Sequence, residues 1–309
     1  MTKKLFTILL SCTTATLFGL DFYVANASWG KDAPEGGFKY STCPWGQSFH
    51  YDADLYKTKP GWADTLTTRS NQIVEFDKNF KVGNLNLHNP KLAYAKGKTI
   101  DILGDFSTQL GTTGKMSFED CKMTAGKNMR LNYWHKARSD GRTVLSFTNT
   151  IFNLKGSLFC IIPVHPDAKL RGECGPIFNL KGSTKLNFGT SAVIDEIFFE
   201  QQKTWKFRFN FIPTDKVPSL SFGTEIKVRG LEINVDTKDA KLKPGTYALV
   251  TIADRGSMIK DCKFFLNGQS YRIGNSFQIN GQSAEINYGV SPDGKDTSNQ
   301  NDIVLIIKK

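Results

Sequence analysis

The sequence has none of the short motifs that mark common catalytic centres. It contains no G-x-S-x-G nucleophile elbow, no phosphate-binding P-loop and no H-E-x-x-H zinc motif. It also lacks a C-x-x-C pair, and its few histidines are too scattered for a metal site; these are His50, His88, His135 and His165. The sequence therefore predicts no metal and no cofactor, and it leaves open whether the protein is an enzyme.

Helical patterns and long apolar segments are also missing beyond residue 20. No stretch keeps apolar residues at helical spacing over three turns, and the best candidate, 122–136, is interrupted by Gly126 and Asn128. No later segment reaches the roughly 18 apolar residues that a membrane-spanning helix requires. Short segments instead alternate apolar and polar residues between turn residues, which predicts an all-β protein. They include 73–76, 82–87, 99–103, 207–211, 231–235 and 303–307.

One phrase of seven residues, Ile-Phe-Asn-Leu-Lys-Gly-Ser, occurs twice, at 151–157 and at 177–183. Looser copies end at other glycines, so that Gly97, Gly126, Gly156 and Gly182 follow one another at intervals of 29, 30 and 26 residues. Self-similarity at a nearly fixed period is typical of stacked repeats. We therefore predict a right-handed parallel β-helix, or β-solenoid, with one period in each coil.

The two identical copies make this prediction specific. On successive coils, residues with the same place in both copies stack directly, with Cα atoms about 4.8 Å apart. The repeat core would then comprise Ile151, Leu154, Ile177 and Leu180. Asn153 and Asn179 would form an amide ladder. The two glycines at the ends of the copies, Gly156 and Gly182, would turn the chain with positive φ angles.

The chain divides into four segments by composition. Residues 1–27 have the pattern of a signal peptide, 28–70 that of an irregular N-terminal cap, 71–230 that of solenoid coils, and 231–309 that of a β-rich C-terminal region that continues or caps the solenoid. Caps are expected because the open edge of a terminal coil recruits other strands. The aromatic residues of the N-terminal cap either pack within it or form a platform for sugar rings. They are Tyr40, Trp45, Tyr51 and Trp62.

The first 27 residues carry the features of an export signal. Lys3 and Lys4 precede an uncharged, mostly apolar run over 5–20, and residues 25–27, Ala-Asn-Ala, are a small-x-small cleavage site. We predict cleavage after Ala27 and a bacterial protein that is secreted or displayed at the cell surface. The alternative is a lipid anchor on Cys12, because residues 9–12, Leu-Leu-Ser-Cys, resemble a lipobox.

Acidic residues are too few to balance the basic ones. The chain has 40 Lys and Arg against 29 Asp and Glu, a net charge of +11, and loss of the signal lowers it to +10. No nucleic-acid-binding motif accompanies this charge, so no specific nucleic acid is expected. A basic exported protein attracts polyanions, so we expect an acidic polysaccharide or another cell-surface polyanion as partner. Simple solubility is the competing explanation.

Cysteines are also few, and five remain beyond the signal. Outside the cytoplasm they can oxidise. Cys160 and Cys174 flank a short excursion, 161–173, and we predict a disulfide between them. An odd number leaves at least one thiol free or shared between chains.

A basic and aromatic cluster is the best candidate for a glycan contact, with a polar solenoid edge as the alternative explanation. It comprises Arg130, Tyr133, Trp134, His135, Lys136 and Arg138. Glycoside hydrolysis needs two carboxylates about 5–9.5 Å apart. The candidate pairs are Asp101 with Asp105, Glu119 with Asp120, and Asp195 with Glu196. We interpret all three pairs as turn residues. The two adjacent pairs would point to opposite faces of a strand, and Asp101 and Asp105 would share a face only if the strand continued through Gly104.

Two segments give the sequence a family resemblance. Residues 82–87, Val-Gly-Asn-Leu-Asn-Leu, followed by 97–102, Gly-Lys-Thr-Ile-Asp-Ile, resemble the rhythm of autotransporter-associated β-strand repeats. The ending, with Pro244, Gly245, Tyr247 and 302–305, is similar to the tail of those secreted passenger-like proteins. The resemblance implies a right-handed parallel β-helix on or outside the cell. Unlike those proteins, this chain is not expected to carry a translocator barrel, and we therefore expect another export route.

These features together predict an exported, non-catalytic β-solenoid that serves as a structural or adhesive surface protein and binds acidic glycans. The alternative is a β-helix polysaccharide lyase or hydrolase that acts on an acidic polysaccharide. An enzyme would need a groove in which two carboxylates, or a basic residue and a carboxylate, converge.

Overall fold

The computed structural model describes fifteen segments of the chain. They are residues 21–24, 38–41, 45–46, 64–68, 72–88, 90–110, 114–133, 143–161, 175–189, 192–194, 207–224, 226–227, 231–253, 262–289 and 302–308. All regular structure within these segments is β-strand, and none of it is helical. The prediction of an all-β protein is confirmed.

The strands form three long sheets, which we name A, B and C and give from the N-terminal to the C-terminal end of the stack. Sheet A contains β3 (Trp45–Gly46), β1 (Asp21–Val24), β4 (Thr65–Thr68), β7 (Asn84–His88), β10 (Phe106–Leu110), β13 (Met129–Tyr133), β16 (Leu158–Ile161), β19 (Ala192–Ile194) and β22 (Ile226–Lys227). Sheet B contains β2 (Phe38–Lys39), β5 (Ile73–Glu75), β8 (Leu92–Lys96), β11 (Lys115–Glu119), β14 (Val144–Thr148), β17 (Ile177–Lys181), β20 (Phe207–Ile212), β23 (Leu231–Val235), β25 (Lys263–Leu266) and β26 (Gln269–Tyr271). Sheet C contains β6 (Phe80–Val82), β9 (Thr99–Ile102), β12 (Lys122–Ala125), β15 (Ile151–Leu154), β18 (Lys185–Phe188), β21 (Ser219–Phe222), β24 (Gly245–Ile252), β29 (Ile303–Ile307), β28 (Gln282–Tyr288) and β27 (Ser276–Ile279).

The chain visits the three sheets in turn, which produces a solenoid-like architecture. β7, β8 and β9 lie in sheets A, B and C, and they pair in parallel with β10, β11 and β12 of the next coil. The same parallel pairing continues to β22, β23 and β24. Parallel neighbours need a long connection, and here the rest of the coil supplies it.

The coils differ in length. The chain advances 19 residues between the paired Leu66 and Leu85, but 34 residues between the paired Leu158 and Ala192. Much of this growth lies in the connections from sheet A to sheet B, such as 134–143 and 162–176. The expected fixed period is therefore absent, because a connection can lengthen in one coil without disturbing the register of the strands.

The two identical phrases do not stack on each other. The first forms β15 in sheet C, which pairs with β12 and β18, and the second forms β17 in sheet B, which pairs with β14 and β20. The predicted contacts of Ile151 with Ile177 and of Leu154 with Leu180 are therefore wrong. Two of the looser copies do stack on each other. Phe118, before Gly126, pairs directly with Phe147, before Gly156. The same phrase can occur in two sheets because it encodes a short strand followed by a corner, and every sheet of the coil requires both.

The choice of core residues within the phrases was also partly wrong. Ile151 is 37 % exposed and Ile177 is half-buried, whereas the phenylalanines that follow them, Phe152 and Phe178, are almost completely buried. Side chains alternate between the two faces of a strand, so the first and fourth residues of the phrase cannot both face inward. The fourth residues, Leu154 and Leu180, do belong to the core.

Phenylalanine rings run through the core along the stack. Phe147 lies between Phe118 and Phe178, with ring centroids at 5.6 and 6.4 Å. Phe152 reaches the same ring from sheet C at 6.2 Å. Aromatic pairs at such distances contribute about 0.5–1.5 kcal/mol each beyond the area that they bury. The rings therefore connect both successive coils and different sheets.

Polar ladders hold the outside of the coils together. At the corner between sheets C and A, the side-chain oxygens of Asn84, Asp105 and Asn128 each accept the backbone N–H of the equivalent residue in the next coil, at 2.9, 2.9 and 3.0 Å. The predicted ladder between Asn153 and Asn179 is wrong because the two lie in different sheets. Each joins a ladder of its own: Asn187 donates to Asn153, and Asn210 donates to Asn179, both at 2.8 Å.

The two predicted corner glycines differ. Gly182 has φ of +66°, as expected, but Gly156 does not have a positive φ. A Cβ at Gly156 would lie 2.4 Å from Oδ1 of Asn128, so this position needs glycine because two coils approach closely. A further glycine, Gly83, ends β6 and divides the predicted 82–87 strand between sheets C and A.

The C-terminal part departs from parallel pairing. β29 lies between β24 and β28 and is antiparallel to both, and β27 extends the same sheet. β25 continues sheet B in parallel, and β26 folds back on it. The predicted strand at 303–307 is confirmed as β29, and its residues are largely buried.

At the N-terminal end, β1 falls inside the predicted signal peptide and pairs with β4 and β3. Residues 1–20, including Cys12, lie outside the described segments. Tyr40 is buried and stacks on Phe80 at 4.7 Å, so it packs within the structure and does not offer a sugar platform. Tyr51, Trp62 and the side chain of Trp45 also fall outside the described part.

Candidate anion-binding groove

The predicted glycan cluster is described only in part. Arg130 and Tyr133 lie on β13, whereas Trp134, His135, Lys136 and Arg138 and the side chain of Tyr133 lie outside the described residues. Nε of Arg130 donates to Oδ2 of Asp105 at 3.0 Å, and its guanidinium lies 5.6 Å from the ring centroid of Phe159. Arg130 is therefore engaged between coils, and the rest of the cluster stays a prediction.

The described members of the carboxylate pairs also serve neighbouring coils. Asp105 binds Arg130 and the N–H of Asn128, Asp101 accepts the hydroxyl of Thr124 at 2.9 Å, and Glu119 pairs with Lys96 at 2.7 Å. Asp120 occupies a corner with φ of 52°. Asp195 and Glu196 lie outside the described segments. The four described carboxylates thus have structural positions at strands and corners.

The predicted disulfide also remains a prediction. Cys160 lies on β16, but its side chain and Cys174 are outside the described part of the chain. Cys121 and Cys262 are free cysteines. Burial raises the pKa of both thiols, which keeps them protonated and poorly nucleophilic.

A groove forms where the corner between sheets B and C lengthens. This corner takes two residues between β14 and β15, and three between β17 and β18. It then takes six residues, 213–218, between β20 and β21, and nine, 236–244, between β23 and β24. Residues of both longer corners, together with residues of β18 and β24, line an open groove of about 820 Å³.

Lysines dominate the lining of this groove. Lys185 projects from β18, Lys216 from the six-residue corner, and Lys241 and Lys243 from the nine-residue corner. All four are exposed, and none forms an ion pair with another residue in the described segments. Asp215 is the single acidic residue among the described lining residues, so these side chains carry a net charge of +3. We name this feature the lysine groove.

The nine-residue corner is fixed on several sides. The N–H of Lys241 donates to the carbonyl of Thr214 at 2.7 Å, which joins the two long corners. Asn267 accepts the N–H of Thr237 at 2.8 Å, and Asn280 donates to the carbonyl of Ala240 at 2.6 Å. Both asparagines sit in tight turns of the C-terminal strands, with φ near +50°. The antiparallel strands therefore hold the wall that carries Lys241 and Lys243.

Tyr247 is the aromatic residue in the described lining of the lysine groove. Its hydroxyl donates to the carbonyl of Lys243 at 2.8 Å, and its ring packs partly against the core. A methyl group on Gly245 would lie 3.6 Å from Cε2 of the ring, so the tyrosine lies alongside that glycine. Tyr247 is half-buried, and its hydroxyl is held by the carbonyl of Lys243.

Sequence reasoning did not find the lysine groove. Residues 241–245, Lys-Leu-Lys-Pro-Gly, are a visible basic phrase, but Pro-Gly indicates a turn and the phrase by itself does not indicate a groove. Nothing in the sequence shows that Lys185 and Lys216 come close to them. Their proximity depends on the stacking of three coils and on the lengths of two corners.

Two further features, a cluster of metal ligands and a membrane-spanning helix, are absent from the described segments. These segments contain no group of three or more His, Cys, Asp or Glu residues that could hold a metal ion. They also contain no helix with the length and apolar character needed to cross a membrane. Searches with protein-family models, against curated proteins and against solved structures found no match to this chain.

Proposed function

We propose that this protein is an exported bacterial β-solenoid that acts as a structural or adhesive component outside the cell and binds acidic glycans without cleaving them. The lysine groove is the observation that carries the proposal. It concentrates four exposed ammonium groups on a chain whose net charge is already +11. The competing explanation, solubility alone, does not require basic residues to converge.

The chemistry of lysine suits an extended polyanion. An ammonium group binds anions as a compact charge with three donors, so it accepts carboxylates and sulfates in many orientations. At physiological ionic strength the Debye length is about 8 Å, so charges lining one groove act on the same stretch of ligand. An open groove also lets the remainder of a long chain stay in water.

The proposal also covers the handedness, the ends and the location of the solenoid. Right-handed coils are favoured because crossovers between parallel strands of one sheet are right-handed in about 98 % of cases. Residues 28–70 and the antiparallel C-terminal strands act as caps, since uncovered edges recruit other strands. Together with the export signal over 1–27, these features fit the passenger-like proteins that the sequence resembles.

Binding of the purified protein to immobilised polyuronate, measured at increasing salt, tests the proposal. We expect binding at low salt that weakens as salt rises. The double variant Lys241→Gln with Lys243→Gln should weaken binding roughly two- to thirty-fold, because each exposed charge contact contributes about 0.2–1 kcal/mol. The matched control is Lys91→Gln with Lys115→Gln, which removes the same charge from exposed positions next to or on sheet B.

The control double variant should bind within about twofold of the unmodified protein, since rim charges contribute little individually. Equal weakening by both double variants would show that net charge, not the lysine groove, attracts the ligand. Failure to bind polyuronate or sulfated polysaccharide at low salt would refute the proposal. Release of shortened sugar chains in the same mixtures would instead indicate a lyase or hydrolase.

A further inference from the structure

We propose that the lysine groove recognises sugar rings as well as charge, and that Tyr247 is the residue that does so. The ligand would then be a chain of acidic pyranose sugars, and a polyanion without rings would bind less selectively. This inference rests on the proposed function and specifies the ligand class of the same groove.

The first support is the position of Tyr247 between the core and the groove. Tyr247 is partly buried against the core and is also one of the residues that line the groove. Aromatic side chains offer a flat apolar face, and a tyrosine keeps its polar end available for a hydrogen bond. Pyranose rings have an apolar face of their own, so an aromatic side chain in the lining of a polar groove is a suitable stacking surface.

The second support is that the ring is fixed before any ligand binds. Its hydroxyl donates to the carbonyl of Lys243, and its side lies against Gly245. A ring that is already held loses little conformational freedom on binding. The tyrosine also lies within a paired strand, because Tyr247 is opposite Leu305 in the antiparallel pair of β24 with β29.

The third support is the arrangement of charge around the ring. The hydroxyl of Tyr247 donates to the backbone carbonyl of Lys243, whose ammonium group is one of the four in the groove. Lys241, which carries another, is two residues before Lys243 in the chain. A uronic acid presents both a carboxylate and an apolar ring face within one sugar unit. One such unit can therefore meet Tyr247 and a lysine together.

The test compares polyuronate with polyglutamate, which carries carboxylates but no sugar ring. We expect Tyr247→Ala to weaken polyuronate binding roughly two- to twelve-fold, the range given by typical aromatic contacts, and to leave polyglutamate binding within about twofold. Tyr247→Phe keeps the ring and should bind polyuronate within about threefold of the unmodified protein. Thermal unfolding of each variant accompanies the titrations.

If Tyr247→Ala weakens binding of polyuronate and polyglutamate equally, or weakens neither, this inference is overturned and the proposed function stays intact. Absence of binding to both polymers by the unmodified protein would instead refute the proposed function, and the inference with it. If Tyr247→Ala does not fold, ring NMR signals of tyrosine-labelled protein, assigned with Tyr247→Phe, provide the answer. They should shift with polyuronate and stay unchanged with polyglutamate, and any other pattern overturns the inference.

Discussion

At the scale of single residues, the corner between sheets B and C depends on a left-handed backbone. Four successive coils place such a residue at the same point, with φ between 48 and 66°: Gly97, Asp120, Asn149 and Gly182. Each donates its N–H to the carbonyl before the corner of the next coil, at 2.8–3.1 Å. Glycine, asparagine and aspartate are the residues that adopt this conformation at low cost. The corner is thus specified by any of these three amino acids, and the same amino acid need not recur in every coil.

The strain at Asn149 can be isolated with two substitutions. Asn149→Gly and Asn149→Ala both remove the acceptor of the Ser183 N–H, but only alanine places a β-carbon in the left-handed conformation. That conformation costs an L-residue about 1–2 kcal/mol. We expect the alanine variant to be less stable than the glycine variant by about 1 kcal/mol in urea unfolding. At Asn153, within β15, the order should reverse because extended strands disfavour glycine. The same order at both positions would contradict this account.

At the scale of the strand, the alternation of side chains between two faces determines whether a residue is buried or exposed. The burial of β15 alternates strictly, so Ile151 faces solvent while Phe152 is 1 % exposed in the core. Shifting the phase by one residue would exchange the whole inner and outer sets. The choice between the two phases is made by packing, since both isoleucine and phenylalanine are apolar and favoured in strands.

This phase predicts very different costs for two adjacent substitutions. Phe152→Ala should lower the free energy of unfolding by about 3–5 kcal/mol, because it opens a cavity beside the ring of Phe147. Ile151→Thr should change it by less than about 0.5 kcal/mol, since the side chain lies on the outer face of β15 and the β-branch is kept. Chemical denaturation followed by fluorescence measures both. Comparable losses for the two variants would mean that the phase is wrong.

At the scale of the whole molecule, each coil is stabilised mainly by its neighbours. The stability of such stacks is roughly a sum of nearest-neighbour terms, so the ends are the weakest parts. At the N-terminal end, β1 covers β4 in sheet A through parallel pairing of residues 21–23 with 65–67. Predicted cleavage after Ala27 would remove β1, and β4 would lose its neighbour on that side.

Hydrogen exchange can measure what β1 contributes. We expect the amides of Thr65–Thr68 to exchange faster in a protein that begins at Ser28 than in one that begins at Asp21, because the exposed edge strand frays. The amides of Ile177–Lys181, several coils away, should exchange equally in both proteins and serve as the internal control. Equal protection of β4 in both proteins would show that β1 does not stabilise the first coil.

The lysine groove is also a property of the whole molecule. It combines β18, two corners from the next two coils, and the antiparallel strands whose Asn267 and Asn280 brace the wall. None of these parts is distinctive alone. Stacking of the coils brings them together, and the two longer corners supply three of the four lysines.

Local sequence determined the strands and their corners, because alternation and turn chemistry act over only a few residues. The strands at 231–235 and 303–307 follow from such patterns, and so does the left-handed Gly182. Only the tertiary structure decided which strands are neighbours, since the identical phrases at 151 and 177 fit sheet C and sheet B equally well. The lysine groove also depends on the tertiary structure. Its four lysines come from separate segments, and the distances between them depend on how the coils stack and on the lengths of two corners.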